Sequence, residues 1–334
     1  MISEKLRYTG LHGEPAEEEA SVESDLAPDP DGRPLRTREL KLGGGRRARQ
    51  IMAMADDAVG YEMIDNEILA GLHLSRLAGS GSYPGEVGRL IGYHADGVEP
   101  FALVEPYRGV PVTEIAGRLL TADRRRFQVS VLTGLRWLQA AGIAHRGIGP
   151  ATVRWDEQTR TAQITDFALA TIIGAPRQAL GATPWAAPEQ RPGRASGEVG
   201  DRDDIWAAGR LIFYVVTGEE PADRDAILAE PELAQLLAGV FGPPEQRPSG
   251  RDMLVGRLNA RDPVPPRPVE DPALARGRAE FWEYHNRRHG TATPTAAAGG
   301  QTRAPAQRRR WAAGLWASIA GVLLLAVLIW LAAG

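Results

Sequence analysis

The sequence predicts an α+β fold in two parts, a small β-rich lobe followed by a larger helical lobe. Three observations carry this. Short apolar runs at residues 40–54, 89–93 and 101–105 enclose a single stretch of helical spacing. From Thr121 onward the long periodic segments are helical. Strands are gathered before helices rather than alternating with them, which favours a layered α+β arrangement over a parallel sheet.

Residues 1–37 include EPAEEEASVESDLAPDPDG, rich in Glu, Asp, Pro and Gly and without apolar periodicity; they read as a disordered acidic tail. Residues 40–54 place apolar side chains either side of Gly43-Gly44-Gly45, the pattern of a hairpin with a tight turn. Met63, Ile64, Ile68, Leu69 and Leu72 recur at helical spacing. Phe127, Val131, Leu135 and Leu138 give an amphipathic helix over 121–142, closed by Gly142. Residues 193–200 read as a loop, 204–217 as an almost wholly apolar and therefore buried helix, and 228–258 as further short helices. From 262 to about 307 the chain is rich in Pro, Arg and Ala, a juxtamembrane linker in which 275–286 forms one short helix.

Residues 311–334 carry no charge, and about 20 apolar residues suffice to cross the hydrocarbon. Trp311, Trp316 and Trp330 suit interfacial belts. Arg308-Arg309-Arg310 before the span predicts that the large domain stays in the cytoplasm, single-pass in the cell membrane, with the linker arginines facing anionic lipid. Ala313, Ala317 and Gly321 recur every fourth residue, a face suited to a homodimer. Met1 to Gly13 lacks the apolar core of a signal peptide.

Composition narrows the chemistry. The formal net charge is −3, which leaves no electrostatic footprint for nucleic acid. There is no cysteine, so disulfides, thiolate metal sites and a cysteine nucleophile are excluded. The two lysines are Lys5 and Lys41, and nearly all positive charge is arginine; with the many Ala, Gly and Pro this suggests a high-GC bacterial genome.

Six separated runs then stand in order: FALVEPY at 101–107, HRGIGPATV at 145–153, TDFA at 165–168, GATPWAAPE at 181–189, DDIWAAG at 203–209 and QRPS at 246–249. Together they resemble the eukaryotic-like Ser/Thr protein kinases of bacteria, over roughly residues 40–260. The resemblance implies the bilobal kinase fold, with a lobe of residues 38–105, a second of 106–262, a linker of 263–310 and a transmembrane helix of 311–334. It implies Val104 as gatekeeper, with Glu105 to Tyr107 along the adenine edge. ATP with Mg²⁺ or Mn²⁺ is the implied ligand, and Asp166 the one retained metal carboxylate. It also implies structural roles: His145 and Phe167 stacking in a spine, Asp204 accepting backbone N–H groups of the loop that begins His145-Arg146, and Glu189 paired with Arg247.

Against that pattern the reactive letters are missing. The proton-accepting Asp is Gly147, the loop Lys is Gly149, and the metal-binding Asn is Thr152. The strand that carries the phosphate-binding Lys aligns as Ala48-Arg49-Gln50-Ile51, with Gln50 at that position. Ala168 replaces the glycine after Asp-Phe, no Gly-rich phosphate loop is found, and the partner acid is open among Glu62, Asp65 and Glu67. Loss of a positioned general base alone costs about 10²–10⁴ in rate, from ordinary kinase values of about 1–100 s⁻¹. The expectation is therefore a membrane-tethered pseudokinase rather than an enzyme, acting as scaffold or regulator. Its expected partner is an active kinase or a domain that reads phosphothreonine, with Thr171, Thr183, Thr291, Thr293 and Thr295 as candidate sites. The alternative is a divergent but active Ser/Thr kinase, with an arginine near the phosphates in place of lysine.

Overall fold

The computed structural model describes residues 3–79, 81–179, 184–220, 230–264 and 272–289. The chain divides into the units Met1–Ala292 and Thr293–Gly334, and the described residues all lie in the first. The expected transmembrane helix and Thr183, Thr291, Thr293 and Thr295 lie outside the described residues. Among the described residues, no helix is long and apolar enough to cross a membrane.

Strands begin far earlier than the composition suggests. β1 (Ser3–Gly10) and β2 (Pro15–Val22) form an antiparallel hairpin, and β3 (Ala27–Pro28) follows. β4 (Leu35–Lys41) and β5 (Arg47–Ala53) form the next hairpin, turned by Gly43–Gly45. After α1 (Ala58–Ala78) come β6 (Leu90–His94) and β7 (Phe101–Val104). The sheet order is β2-β1-β6-β7-β5-β4-β3, and β2 also pairs with β4 through Ser21↔Lys41 and Val22↔Leu40. Six strands therefore close on themselves, which leaves few unpaired edges.

This corrects the reading of residues 1–37 as a disordered tail. Leu6, Tyr8 and Ala20 point into the barrel with Leu40, Leu42, Ala48, Phe101 and Leu103. The alternate residues Lys5, Arg7, Glu17 and Glu19 face out, and Lys5 and Arg7 both bond Glu17. High charge here is one face of a strand pair, not the absence of a core. The small lobe starts at residue 3, not 38.

The outer face of β5 and β7 packs on α1. Ile51, Ala53, Ala102 and Val104 meet Ile64, Ile68, Leu69 and Leu72 in one apolar cluster. α1 is capped by Asp57, whose side chain accepts from Gly60 N–H at 2.8 Å.

The larger lobe holds β8 (Val110–Pro111), α2 (Thr121–Ala140), β9 (Ile143–Ala144), β10 (Val153–Asp156), β11 (Thr161–Ile164) and β12 (Thr171–Ile172). It continues with α3 (Asp203–Thr217) and α4 (Pro231–Leu237). Phe127, Val131, Leu135 and Leu138 of α2 pack on Ile205, Leu211, Ile212 and Val215 of α3 in a separate cluster. The lobe is helical, with short strands laid across the site: β8, β10 and β11 form one sheet and β9 pairs with β12.

The reading of 263–310 as a linker is also corrected for part of its length. α5 (Pro272–His289) is longer than the predicted 275–286 and returns to the small lobe. Phe281 is 1% exposed and meets Tyr93 edge-on at 5.6 Å. Asp65 of α1 accepts from Arg288 at 3.0 Å and contacts His285 Nδ1 at 3.1 Å. Gly277 is required by close approach: a β-carbon there would lie 2.1 Å from the Leu11 carbonyl.

Candidate functional site

The site lies where β5, β7 and α1 face the loops after β9 and β11. His145-Arg146-Gly147 leaves β9, and Asp166-Phe167-Ala168 leaves β11. Asp204, at the start of α3, draws these together. Its carboxylate accepts from His145 N–H at 2.6 Å and Arg146 N–H at 2.7 Å, holding Arg146 at a left-handed φ of 63°. Burial pushes the Asp204 carboxyl up, and the two backbone donors oppose that.

His145 is fully buried, its ring edge-on to Phe167 at 5.3 Å. Nε2 lies 3.0 Å from the Thr165 carbonyl, and Nδ1 accepts from Gly147 N–H at 3.1 Å. One nitrogen donates and the other accepts, so the ring is the neutral tautomer, and burial pushes its pKa down. Both nitrogens are engaged, which makes His145 a brace rather than a proton carrier. Glu189 and Arg247 meet in a two-pronged pair at 2.5 and 2.9 Å, with the guanidinium over the Trp206 ring. Arg146 donates its side chain to the Gln178 carbonyl.

The residues at the reactive positions are turned to other uses. Thr152 donates its hydroxyl to the Gly147 carbonyl at 2.8 Å and accepts from Gly149 N–H at 3.1 Å, so it closes the loop instead of facing a metal. A β-carbon at Gly147 would meet only ordinary contacts, 3.4 Å from Leu169 Cδ1 and 3.5 Å from His145 Nδ1. The backbone therefore does not demand glycine there. At Gly149 the neighbour is the Trp185 ring, 3.4 Å from a would-be β-carbon and itself packed edge-on against Tyr214. A longer side chain at 149 would have to displace Trp185. Nothing in the sequence marked Trp185 beyond its place in GATPWAAPE.

The strand assignment shifts by one residue. In β5, Ala48 and Met52 join the barrel interior while Ile51 and Ala53 join the α1 face. Gln50 falls in the inward set, 1% exposed, and accepts from Arg38 Nε at 2.7 Å. It is not in the cleft, so its identification with the phosphate-binding lysine is corrected. A slip of one residue reverses a strand's faces, and the cleft-side residues are Arg49 and Ile51. Ile51 is apolar and Arg49 lies with its guanidinium 4.8 Å over the Tyr107 ring, its Nε bonding Glu39 at 2.7 Å. Arg49 thus braces the segment after β7 and is not free for phosphates.

Tyr107 itself enters the cleft: its ring and that of Phe167 both lie against Gly88. Burial, with the nearby carboxylates of Glu67 and Asp166, pushes its hydroxyl pKa well up. Val104 is buried against α1, while Glu105 is exposed and pairs with Arg89 at 3.1 Å. Of the three acids on α1, Glu62 is exposed and Asp65 is bound to α5, whereas Glu67 faces the cleft. Glu67 accepts from Phe167 N–H at 2.5 Å. Burial first, then the charge of Asp166, push its carboxyl up to about 8. Asn66 donates to the Ala168 carbonyl at 2.9 Å.

Asp166 sits at a left-handed φ of 65° and is met by a residue the sequence reading missed. Arg33 reaches from the loop between β3 and β4, with NH1 3.0 Å from Oδ1 and NH2 2.6 Å from Oδ2. This loop stands where a Gly-rich phosphate loop joins the first two kinase strands, and its sequence is Asp29-Pro30-Asp31-Gly32-Arg33-Pro34. The turn signature Asp-Pro-Asp-Gly was visible, but inside a segment read as tail. ATP with Mg²⁺ or Mn²⁺, which the kinase fold implies, does not fit these residues. The one candidate metal carboxylate is held by a guanidinium, the Thr152 hydroxyl is spent on its own loop, and an isoleucine replaces the lysine.

Comparisons with known proteins find likeness to kinases over part of the chain. Residues 101–246 match the model of the protein kinase domain. The serine/threonine-protein kinase grp of Drosophila melanogaster is 29% identical over 204 residues, 56% of this chain and 37% of that protein. The proline-rich receptor-like protein kinase PERK12 of Arabidopsis thaliana is 26% identical over 61% of this chain and 27% of its own length. The serine/threonine-protein kinase chk-1 of Caenorhabditis briggsae is 31% identical over 39% of this chain and 25% of its own length. The chain thus spans well under half the length of these relatives. With the two-lobed fold and the family-like site frame described above, it is a protein-kinase-like protein with Ser/Thr kinase homologues.

Proposed function

We propose that this chain is a pseudokinase, a kinase fold that works by binding other proteins and does not transfer phosphate. The observation that carries the reading is Gly147 where the proton-accepting carboxylate belongs, in a loop whose backbone would admit a side chain there. Phosphoryl transfer is mostly positioning and charge neutralisation, and the neighbouring groups needed for both are engaged elsewhere. The supporting frame is intact, with Asp204, Glu189 and Arg247 all bonded. A chain of this kind serves as a scaffold or regulator in signalling, its partner an active kinase or a domain that reads phosphothreonine. Thr171, in β12, is half-buried. The uncharged residues 311–334 after Arg308-Arg309-Arg310 support a single-pass anchor with the kinase-like part on the cytoplasmic side.

One experiment tests both parts. The full-length chain is expressed, fractionated and incubated with γ-labelled ATP, Mg²⁺ and Mn²⁺, beside Asp166→Asn. The expected result is recovery with membranes and no label on the chain or on a general protein substrate. Label that disappears in Asp166→Asn would refute the pseudokinase reading, and recovery in the soluble fraction would refute the anchor.

A further inference from the structure

Arg33 joins the two lobes through two carboxylates. Its NH2 lies 2.6 Å from Asp29 Oδ2 and 2.6 Å from Asp166 Oδ2, and its Nε lies 3.0 Å from Asp29 Oδ1. Asp29 is the organiser of the loop. Its Oδ1 also accepts from the backbone N–H of Asp31 at 3.0 Å and of Arg33 at 3.3 Å. The loop base is closed by Asp29 N–H to the Leu35 carbonyl at 3.0 Å and by Gly32 N–H to the Asp29 carbonyl at 3.1 Å. Gly32 takes the left-handed φ of 73° that such a turn requires. Pro34 ties the loop to the end of β5, its carbonyl accepting from Met54 N–H at 3.0 Å. The guanidinium is therefore pre-aimed by a stiff loop and is not a long side chain that happens to rest on an acid.

Three facts make this more than a surface pair. The side chains of Arg33 and Asp166 are 19% and 20% exposed, so solvent screens them only in part. Both oxygens of Asp166 are engaged in the parallel-fork geometry that only arginine supplies. And the position is exclusive: Mg²⁺ needs carboxylate oxygens at about 2.0–2.1 Å. A cation there would stand against a guanidinium bonded to the same two oxygens.

We propose that Arg33 is a built-in latch that takes the place of the metal–phosphate bridge, holding the loop of the small lobe down on Asp166 without any ligand. In a working kinase the metal and nucleotide would tie the phosphate loop above to the carboxylate below. Here one side chain does so, and the cleft is self-occupied. The inference rests on the pseudokinase reading, but its readout is independent of phosphate transfer.

The test is amide hydrogen exchange on the full-length chain, comparing the native protein with Arg33→Ala, Asp166→Asn and the double variant. Each single variant is expected to speed exchange about tenfold in both the 29–35 and 165–168 segments, although they are far apart in sequence. The double variant is expected to exchange no faster than the singles, because both remove the same bond. Loosening confined to the mutated segment, or additive effects, would overturn the latch. If Arg33→Ala fails to fold, Arg33→Lys takes its place, with a weaker effect expected in both segments. A second measurement needs no variant to fold: titration of the native chain with Mn²⁺ alone, followed by electron paramagnetic resonance. No ion held at the cleft is expected at micromolar Mn²⁺, and saturable micromolar binding would overturn the proposal.

Discussion

Arg247→Ala is expected to lower the stability of the chain by about 3–5 kcal/mol, the cost of cutting one side of a buried ion pair. Arg247 is 2% exposed and makes more than its two bonds to Glu189. Its Nε donates to the Gly242 carbonyl at 3.0 Å, and its guanidinium covers the Trp206 ring at 5.2 Å. Truncation strands the Glu189 carboxylate, leaves a carbonyl without its donor, and opens a void beside α3. At about 2–4 °C per kcal/mol for a domain of this size, the melting temperature should fall by roughly 10 °C. The comparison that gives the number meaning is Arg89→Ala. That residue's pair with Glu105 is about half exposed on both sides and should be worth under about 1 kcal/mol. Equal shifts for the two variants would show that Glu189–Arg247 is no more than a surface contact.

Glu67→Gln should change how stability depends on pH. The folded-state pKa of Glu67, about 8, lies above its ordinary value of 4.5. Between those values the folded chain keeps a proton that the unfolded chain has released. Stability from this group therefore falls as pH rises from about 4.5 to 8 and is level above that. At about 1.4 kcal/mol per unit, the ionised carboxylate costs several kcal/mol at alkaline pH. Glutamine keeps an acceptor for Phe167 N–H and cannot ionise. Melting temperatures at pH 5 and pH 8.5 should therefore converge in the variant relative to the native chain, with the variant the more stable at pH 8.5. Asp204, also pushed up by burial, contributes equally to both curves and cancels in the difference. Parallel curves would mean that Glu67 ionises normally in the fold.

Much of the larger lobe could be read from the sequence because its signals are long and periodic. Residues 121–142 and 204–217 became Thr121–Ala140 and Asp203–Thr217. Phe127 to Leu138 repeats over several turns, and such repetition tolerates error at the ends. The small lobe was harder for two physical reasons. Its first hairpin buries only Leu6, Tyr8 and Ala20 inside a narrow barrel, so most of its side chains are charged and mimic disorder. Its strands are also short enough that a one-residue slip leaves the apolar pattern plausible while turning Gln50 from the interior to the cleft.

The site divides along the same line. The braces Asp204, Glu189 and Arg247 sit inside ordered motifs, and the resemblance those motifs carry implied their roles. Arg33 and Trp185 act through tertiary approach alone, and no local pattern marks an arginine that reaches from residue 33 to residue 166. Glu67 could be narrowed to three acids but not chosen, because which face of α1 meets the cleft is set by its tertiary packing on β5 and β7. A fragment of residues 38–262 would lack β1, β2, β3, the start of β4 and α5, opening the barrel and removing one of the elements packed on α1.

Arg33 and Thr152 occupy the groups that a metal–nucleotide would need, and on the proposed reading the cleft takes none. Calorimetric titration of the full-length chain with ATP in millimolar Mg²⁺, and again in Mn²⁺, tests it most directly. The predicted result is no saturable heat up to millimolar nucleotide in either metal. Saturable binding that is lost in Asp166→Asn would contradict it.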